Sequence, residues 1–138
     1  MSAIQYLNPP SAPRVFGSYS HLSVVPAGGR TVYIAGQVAM DDQGAAIGPG
    51  DIAAQVPVIY ENIGRMLGDV GGDFSCICSL TTFVVGEGNL AAFHRARDAV
   101  YRRIFPGGTY PPHALIVVAG LYREGLVVEV QGVARLPT

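Results

Sequence analysis

Apolar residues recur along this chain at two different periods, and the order in which the periods alternate limits the architectures open to it. Ile52, Val56, Ile59, Ile63 and Met66 step by four, three, four and three, the spacing that lines one face of a helix. Asp51 stands at the N-cap position, and the helix is predicted to run to about Gly68. Pro57 lies too deep for the first turn and is expected to remove one backbone hydrogen bond or kink the helix. A second stripe follows the candidate cap Asn89: Leu90, Phe93, Ala96 or Arg97, Val100 and Ile104, stopped by Pro106-Gly107-Gly108.

The segments around these helices are rich in β-formers. Ser20 to Val25, the turn Pro26-Ala27-Gly28-Gly29 and Thr31 to Ala35 predict a hairpin. Further strands are expected over Cys76 to Val85, Ala114 to Ala119 and Leu126 to Ala134. The order β-β-α-β-α-β-β predicts an α+β fold with a mixed sheet and both helices on one face. Residues 1–14 read as an N-terminal arm, with three prolines and little periodicity, and residues 15–138 as a single domain. Helices on one face leave the other bare. Leu115, Val117, Val128 and Val130 are the apolar strand residues expected there, covered by another copy of the chain. Only 14% of residues are charged, against about 25% in ordinary domains, which also points to self-association.

The same composition excludes several chemistries. All nine cations are arginine, so Schiff-base catalysis, covalently held pyridoxal phosphate and a P-loop lysine are ruled out. The net charge is −1 with no basic run, so nucleic acid is not an expected partner. His21, His94 and His113 are scattered, and no metal site or other cofactor is expected. Cys76 and Cys78 are poorly placed to bridge, which suits a reducing compartment. With neither a signal pattern nor an apolar run of membrane-spanning length, a cytoplasmic protein free of the membrane is expected.

Two polar residues stand out by position. Glu129 interrupts Leu126-Val127-Val128-Glu129-Val130, where a carboxylate must be paired, hydrogen-bonded or facing a wet cleft. The alternative is a solvent-facing residue sharing a face with Gln131. His113 follows the stiff run Tyr110-Pro111-Pro112, which would aim its ring reproducibly. The alternative is a core or edge histidine held by a backbone carbonyl.

A set of ordered segments carries a family resemblance: Gly17-Ser18-Tyr19-Ser20-His21, Val32 to Ala39, Asp51 to Gln55 with Glu61-Asn62-Ile63, and Thr81 to Val84. It continues through Phe105-Pro106, Tyr110-Pro111-Pro112 and Val128-Glu129-Val130 with Val133-Ala134. From about residue 15 to 134 the chain resembles the RidA (YjgF, or L-PSP) family. The resemblance implies a chorismate-mutase-like fold and a homotrimer with three clefts between subunits. It also implies hydrolysis of reactive enamines and imines made by pyridoxal-phosphate enzymes; some relatives have been described as ribonucleases. By the same resemblance Tyr19 matches a cleft tyrosine, Gly36 a glycine-containing turn that binds substrate, and Glu129 the glutamate that holds the attacking water. His113 stands where the family's imine deaminases carry an arginine, and Ala35 where a Ser or Thr is usual.

The arginine position matters physically. A guanidinium grips a carboxylate with two parallel hydrogen bonds, whereas histidine offers one and is mostly neutral above a pKa near 6.5. Losing one charge-assisted bond of about 1.5–3 kcal/mol weakens carboxylate binding by roughly ten- to 150-fold. The expected function is therefore hydrolytic deamination of a small enamine or imine, with weak activity on 2-iminobutanoate and His113 contacting the polar end of the substrate. The alternatives are a non-catalytic trimer that binds a small ligand and, below it, a ribonuclease.

Overall fold

A computed structural model describes residues 3–137; Met1 and Ser2 of the expected arm and Thr138 of the expected domain lie outside them. The chain forms β1 (Gln5–Leu7), β2 (Leu22–Val24), β3 (Arg30–Gln37), α1 (Ile52–Asp69), β4 (Ile77–Val85), α2 (Leu90–Ile104), β5 (His113–Val118) and β6 (Val128–Leu136). The main sheet has the order β3-β6-β4-β5. It is mixed: β4 and β5 are parallel, and β6 is antiparallel to both β3 and β4. No helix among the described residues is long and apolar enough to cross a membrane.

The expected hairpin of Ser20–Val25 with Thr31–Ala35 does not form. Instead β2 pairs antiparallel with β1, so the arm contributes a strand. The turn explains the difference. Gly28 and Gly29 take positive φ, and a Cβ on Gly29 would lie 2.2 Å from the Leu136 carbonyl oxygen. The Arg135 guanidinium also donates to the carbonyls of Ala27 and Gly28. These contacts steer the chain out of the turn onto β6, not back along β2. The β1–β2 ribbon is tied to the start of β4 instead, by Tyr6 Oη donating to the Ile77 carbonyl at 2.7 Å and Ser23 Oγ to that of Cys78 at 2.8 Å.

Helix α1 begins as expected, with Asp51 accepting from the Ala54 amide, and it runs through Pro57. Its buried side includes Ile52, Val56, Ile59, Ile63 and Leu67, whereas Met66 is exposed. Met66 lies beside Val32 and Ile34 where the sheet ends at β3, so no further strand covers it. Asn89 stands at the N-cap position of α2, but its side chain makes no capping bond. Its side-chain amide donates to the Val85 carbonyl at 2.8 Å, and a 3-10 turn over Glu87–Asn89 leads into the helix. In α2 the buried stripe takes Arg97, not Ala96, together with Phe93, Val100 and Tyr101.

Burial also corrects the expected bare face. Val128 and Val130 are fully buried among the core residues beneath the helices. Register then puts Leu115 and Val117 on that same side, because they pair with Thr82 and Val84, both fully buried. The uncovered face carries the alternate residues: Tyr33, 82% exposed and paired with Val133, and Phe83, paired with both Ile116 and Glu129. Apolar residues stand on both faces of these strands, so alternation alone gave the wrong parity.

Candidate active site

Glu129 sits on the uncovered face, where β6 passes the end of β3. Between the pairs Ile34–Gly132 and Gln37–Val130 the register shifts by one residue, which makes Ala35-Gly36 a bulge. The bulge brings the Gly36 backbone under the glutamate. A Cβ on Gly36 would lie 2.4 Å from Glu129 Oε2, so the carboxylate occupies the space that any larger residue would fill. Gly36 is not among the positive-φ glycines; its requirement is close approach. Glu129 is half-buried, and its side chain makes no hydrogen bond or ion pair among the described residues. A carboxylate in that setting has its acceptor capacity free for a water or a substrate proton.

Tyr19 and His113 belong to the other end of the sheet. The segment with Tyr19 is fastened by Ser18 Oγ donating to Asp98 Oδ1 at 3.1 Å and by the Ser20 amide reaching the Pro111 carbonyl at 3.4 Å. The Tyr19 ring meets the His21 ring edge-on. The run Pro111-Pro112 then delivers His113 to the first position of β5, with the Pro112 carbonyl accepting from the Leu80 amide.

The imidazole turns toward the helices. His113 Nε2 shares a hydrogen bond of 2.7 Å with Thr82 Oγ1, and the ring stacks on Phe93 at 6.3 Å between centroids. Burial is the main cause that pushes its pKa down to about 4, and the positive charge of Arg97, then His94, add to it. His113 is therefore neutral at neutral pH. The structure puts it in a side-chain hydrogen bond, where the sequence allowed a backbone carbonyl partner.

These placements divide the four candidate residues. Gly36 and Glu129 are brought together. No hydrogen bond or ring contact joins Tyr19 or His113 to them in one chain. His113 pairs with Leu80 and Glu129 with Phe83, three residues farther along β4. That register separates them by about 10 Å along the strands and about 10 Å across them. Leu80 and Phe83 also have opposite parity on β4, so His113 and Glu129 point to opposite faces.

Sequence reading missed two buried polar residues that act on His113, Thr82 through its hydrogen bond and Arg97 through its charge. Arg97 is buried, with its guanidinium over the rings of Phe93 and Tyr101 and Nε 3.0 Å from Asp98 Oδ1. The ambiguity between Ala96 and Arg97 in the helical stripe was the available signal. Thr82 is fully buried in a strand of β-formers and gave none.

A mixed four-stranded sheet with two helices on one side, and a glutamate seated on a bulge glycine on the other, defines a small α+β domain. The chain belongs to the endoribonuclease L-PSP family, whose model matches residues 9–136. It is 33% identical over 123 residues to Protein DfrA of Myxococcus xanthus, covering 89% of this chain and 88% of that one. It is 32% identical over 123 residues to the bovine 2-iminobutanoate/2-iminopropanoate deaminase, covering 89% and 83%. Among solved structures, a protein of the conserved Rid family from Yersinia pestis, of unknown function, superposes with a TM-score of 0.79 at 26% identity, covering 98% of this chain and all of that one.

Proposed function

We propose that this protein is a small-molecule hydrolase that deaminates a reactive enamine or imine, with Glu129 as its chemical centre. The observation that carries this reading is the unpartnered Glu129 carboxylate resting on Gly36, on a face of the sheet that the helices leave open. Glu129 holds a water and takes its proton as the oxygen adds to the C=N carbon, and the nitrogen takes up a proton from solvent. The protonated Glu129 then gives its proton to the nitrogen of the carbinolamine, and ammonia leaves as the hydroxyl loses its proton to solvent and the carbonyl forms. The names of the bovine and other mammalian relatives, 2-iminobutanoate/2-iminopropanoate deaminases, support the reaction type.

In this reading the cleft lies between copies of the chain in a homotrimer. The Gly36–Glu129 half of one copy faces the Tyr19–His113 half of its neighbour. Tyr33, Phe83, Ile116 and Val133 supply the apolar surface that such contacts cover. Free buried Cys76 and Cys78 go with a reducing, cytoplasmic setting.

The neutral imidazole at position 113 bears on the substrate. Held by Thr82 and far from its protonated form, it supplies no cation for a carboxylate. The preferred substrate is an imine without a carboxylate at that end. Ammonia release should therefore be weak with 2-iminobutanoate and stronger with a neutral imine of similar size. Glu129→Gln should lower either rate by about a hundredfold or more. Robust turnover of 2-iminobutanoate that survives His113→Ala would overturn the substrate reading. Unchanged turnover in Glu129→Gln would overturn the catalytic one. Ligand binding without any product would make the protein a non-catalytic binder.

A further inference from the structure

The helical side of the molecule carries a second concavity, remote from Glu129. A cavity of about 430 Å³ opens along the seam of α1 and α2, within the size range of small-molecule sites. Tyr60, Phe74, Val100 and Ile104 give it an apolar wall, and Arg65 and Arg103 stand at its rim. Pro57 and Val100 continue it into a second depression of about 320 Å³, floored by alanines of both helices and flanked by Arg95 and Arg103.

The charges there are unequal. Glu61, the one acid lining either depression, lies 3.6 Å from Arg65, and Arg65 also donates to Asn62. The Arg95 and Arg103 side chains make no hydrogen bond or ion pair among the described residues. With Glu61 and Arg65 offsetting each other, two guanidiniums remain uncompensated beside apolar walls. Arg103 borders both depressions, so an anion held there can place an apolar body in either.

We propose that this seam is a binding site for a small amphipathic organic anion, one with an apolar body and a single carboxylate, sulfonate or phosphate. Arg103 takes the anionic head by two parallel hydrogen bonds. Tyr60, Phe74 and Ile104 cover the body. The site is separate from the proposed cleft, because the sheet lies between the helices and Glu129.

The probe is 8-anilinonaphthalene-1-sulfonate, titrated into the intact protein by fluorescence and by amide chemical shifts. Saturable binding should move the amides of Gly64, Arg65 and Ile104. Arg103→Gln should weaken it by about tenfold or more, Arg103→Glu should remove it, and Arg123→Gln, an exposed control that lines neither depression, should leave it unchanged. Affinity unaltered in both Arg103 variants, or shifts confined to the uncovered sheet face around Tyr33, would overturn the proposal. Thermal unfolding of each variant separates a lost site from a lost fold.

Discussion

Two residues, Gly36 and His113, hold most of what is specific to this chain, and each yields a separate expectation. At Gly36 a methyl group would collide with the Glu129 carboxylate. Gly36→Ala should therefore lower deaminase turnover by about tenfold or more while shifting the thermal midpoint little, since the clash falls on the end of a flexible side chain. Circular dichroism melts beside the ammonia assay would check this. At His113 the folded-state pKa is pushed down to about 4, below the unfolded value near 6.5. Above pH 6.5 the imidazole is neutral in both states and its contribution is fully present. Between pH 6.5 and 4 only the unfolded chain takes up the proton, so stability is lost, by up to about 3 kcal/mol, as pH falls. Urea midpoints from pH 7.5 to 4 should show this slope, and His113→Gln should flatten it. That Glu129 calls for an explanation was legible in sequence, because a carboxylate among valines must be paired, hydrogen-bonded or exposed. Where His113 points was not, since no spacing rule says which face of β5 a residue after two prolines will take.

At the scale of elements, both helices and the three strands β4, β5 and β6 could be read from period and turn chemistry. The misreadings have local causes. β2 has only three residues, and its partner β1 lies in a proline-bearing arm with no periodic signal. Asn89 has the side chain of a cap, but the 3-10 turn before α2 gives its amide to Val85 instead. Gln55 belongs to a segment that carries the family resemblance, but its structural role was not legible, because a polar residue on an apolar helix face looks like noise. Fully buried on α1, it donates to the carbonyls of Gly48 and Gly125 and accepts from the Val127 amide. It thereby joins the loop before α1 to the one before β6, the strand that carries Glu129. Gln55→Leu leaves the buried Val127 amide without its acceptor, while the Gly48 and Gly125 carbonyls keep the Asp51 and Gly50 amides, and should destabilise the fold by about 2 kcal/mol. A denaturant titration against wild type would measure the loss.

For the molecule as a whole, the charge deficit predicts a covered surface, and exposed Tyr33 and Ile116, the latter at 41%, mark the face proposed for it. Tyr33→Asp with Ile116→Asp should shift the sedimenting species from trimer toward monomer. The same face bears Glu129 and Gly36, while Tyr19 and His113 stand at the far end of the sheet. A cleft that uses all four therefore requires two copies. Subunit complementation tests this most directly: Glu129→Gln is mixed with the double variant Tyr19→Ala, His113→Ala, each first shown inactive alone, and the two are exchanged into common oligomers. Recovery of about a quarter of wild-type ammonia release is the expected result, because random assembly in a closed ring joins an intact acid half to an intact neighbour that often. Mixed oligomers that form and release no ammonia would contradict it.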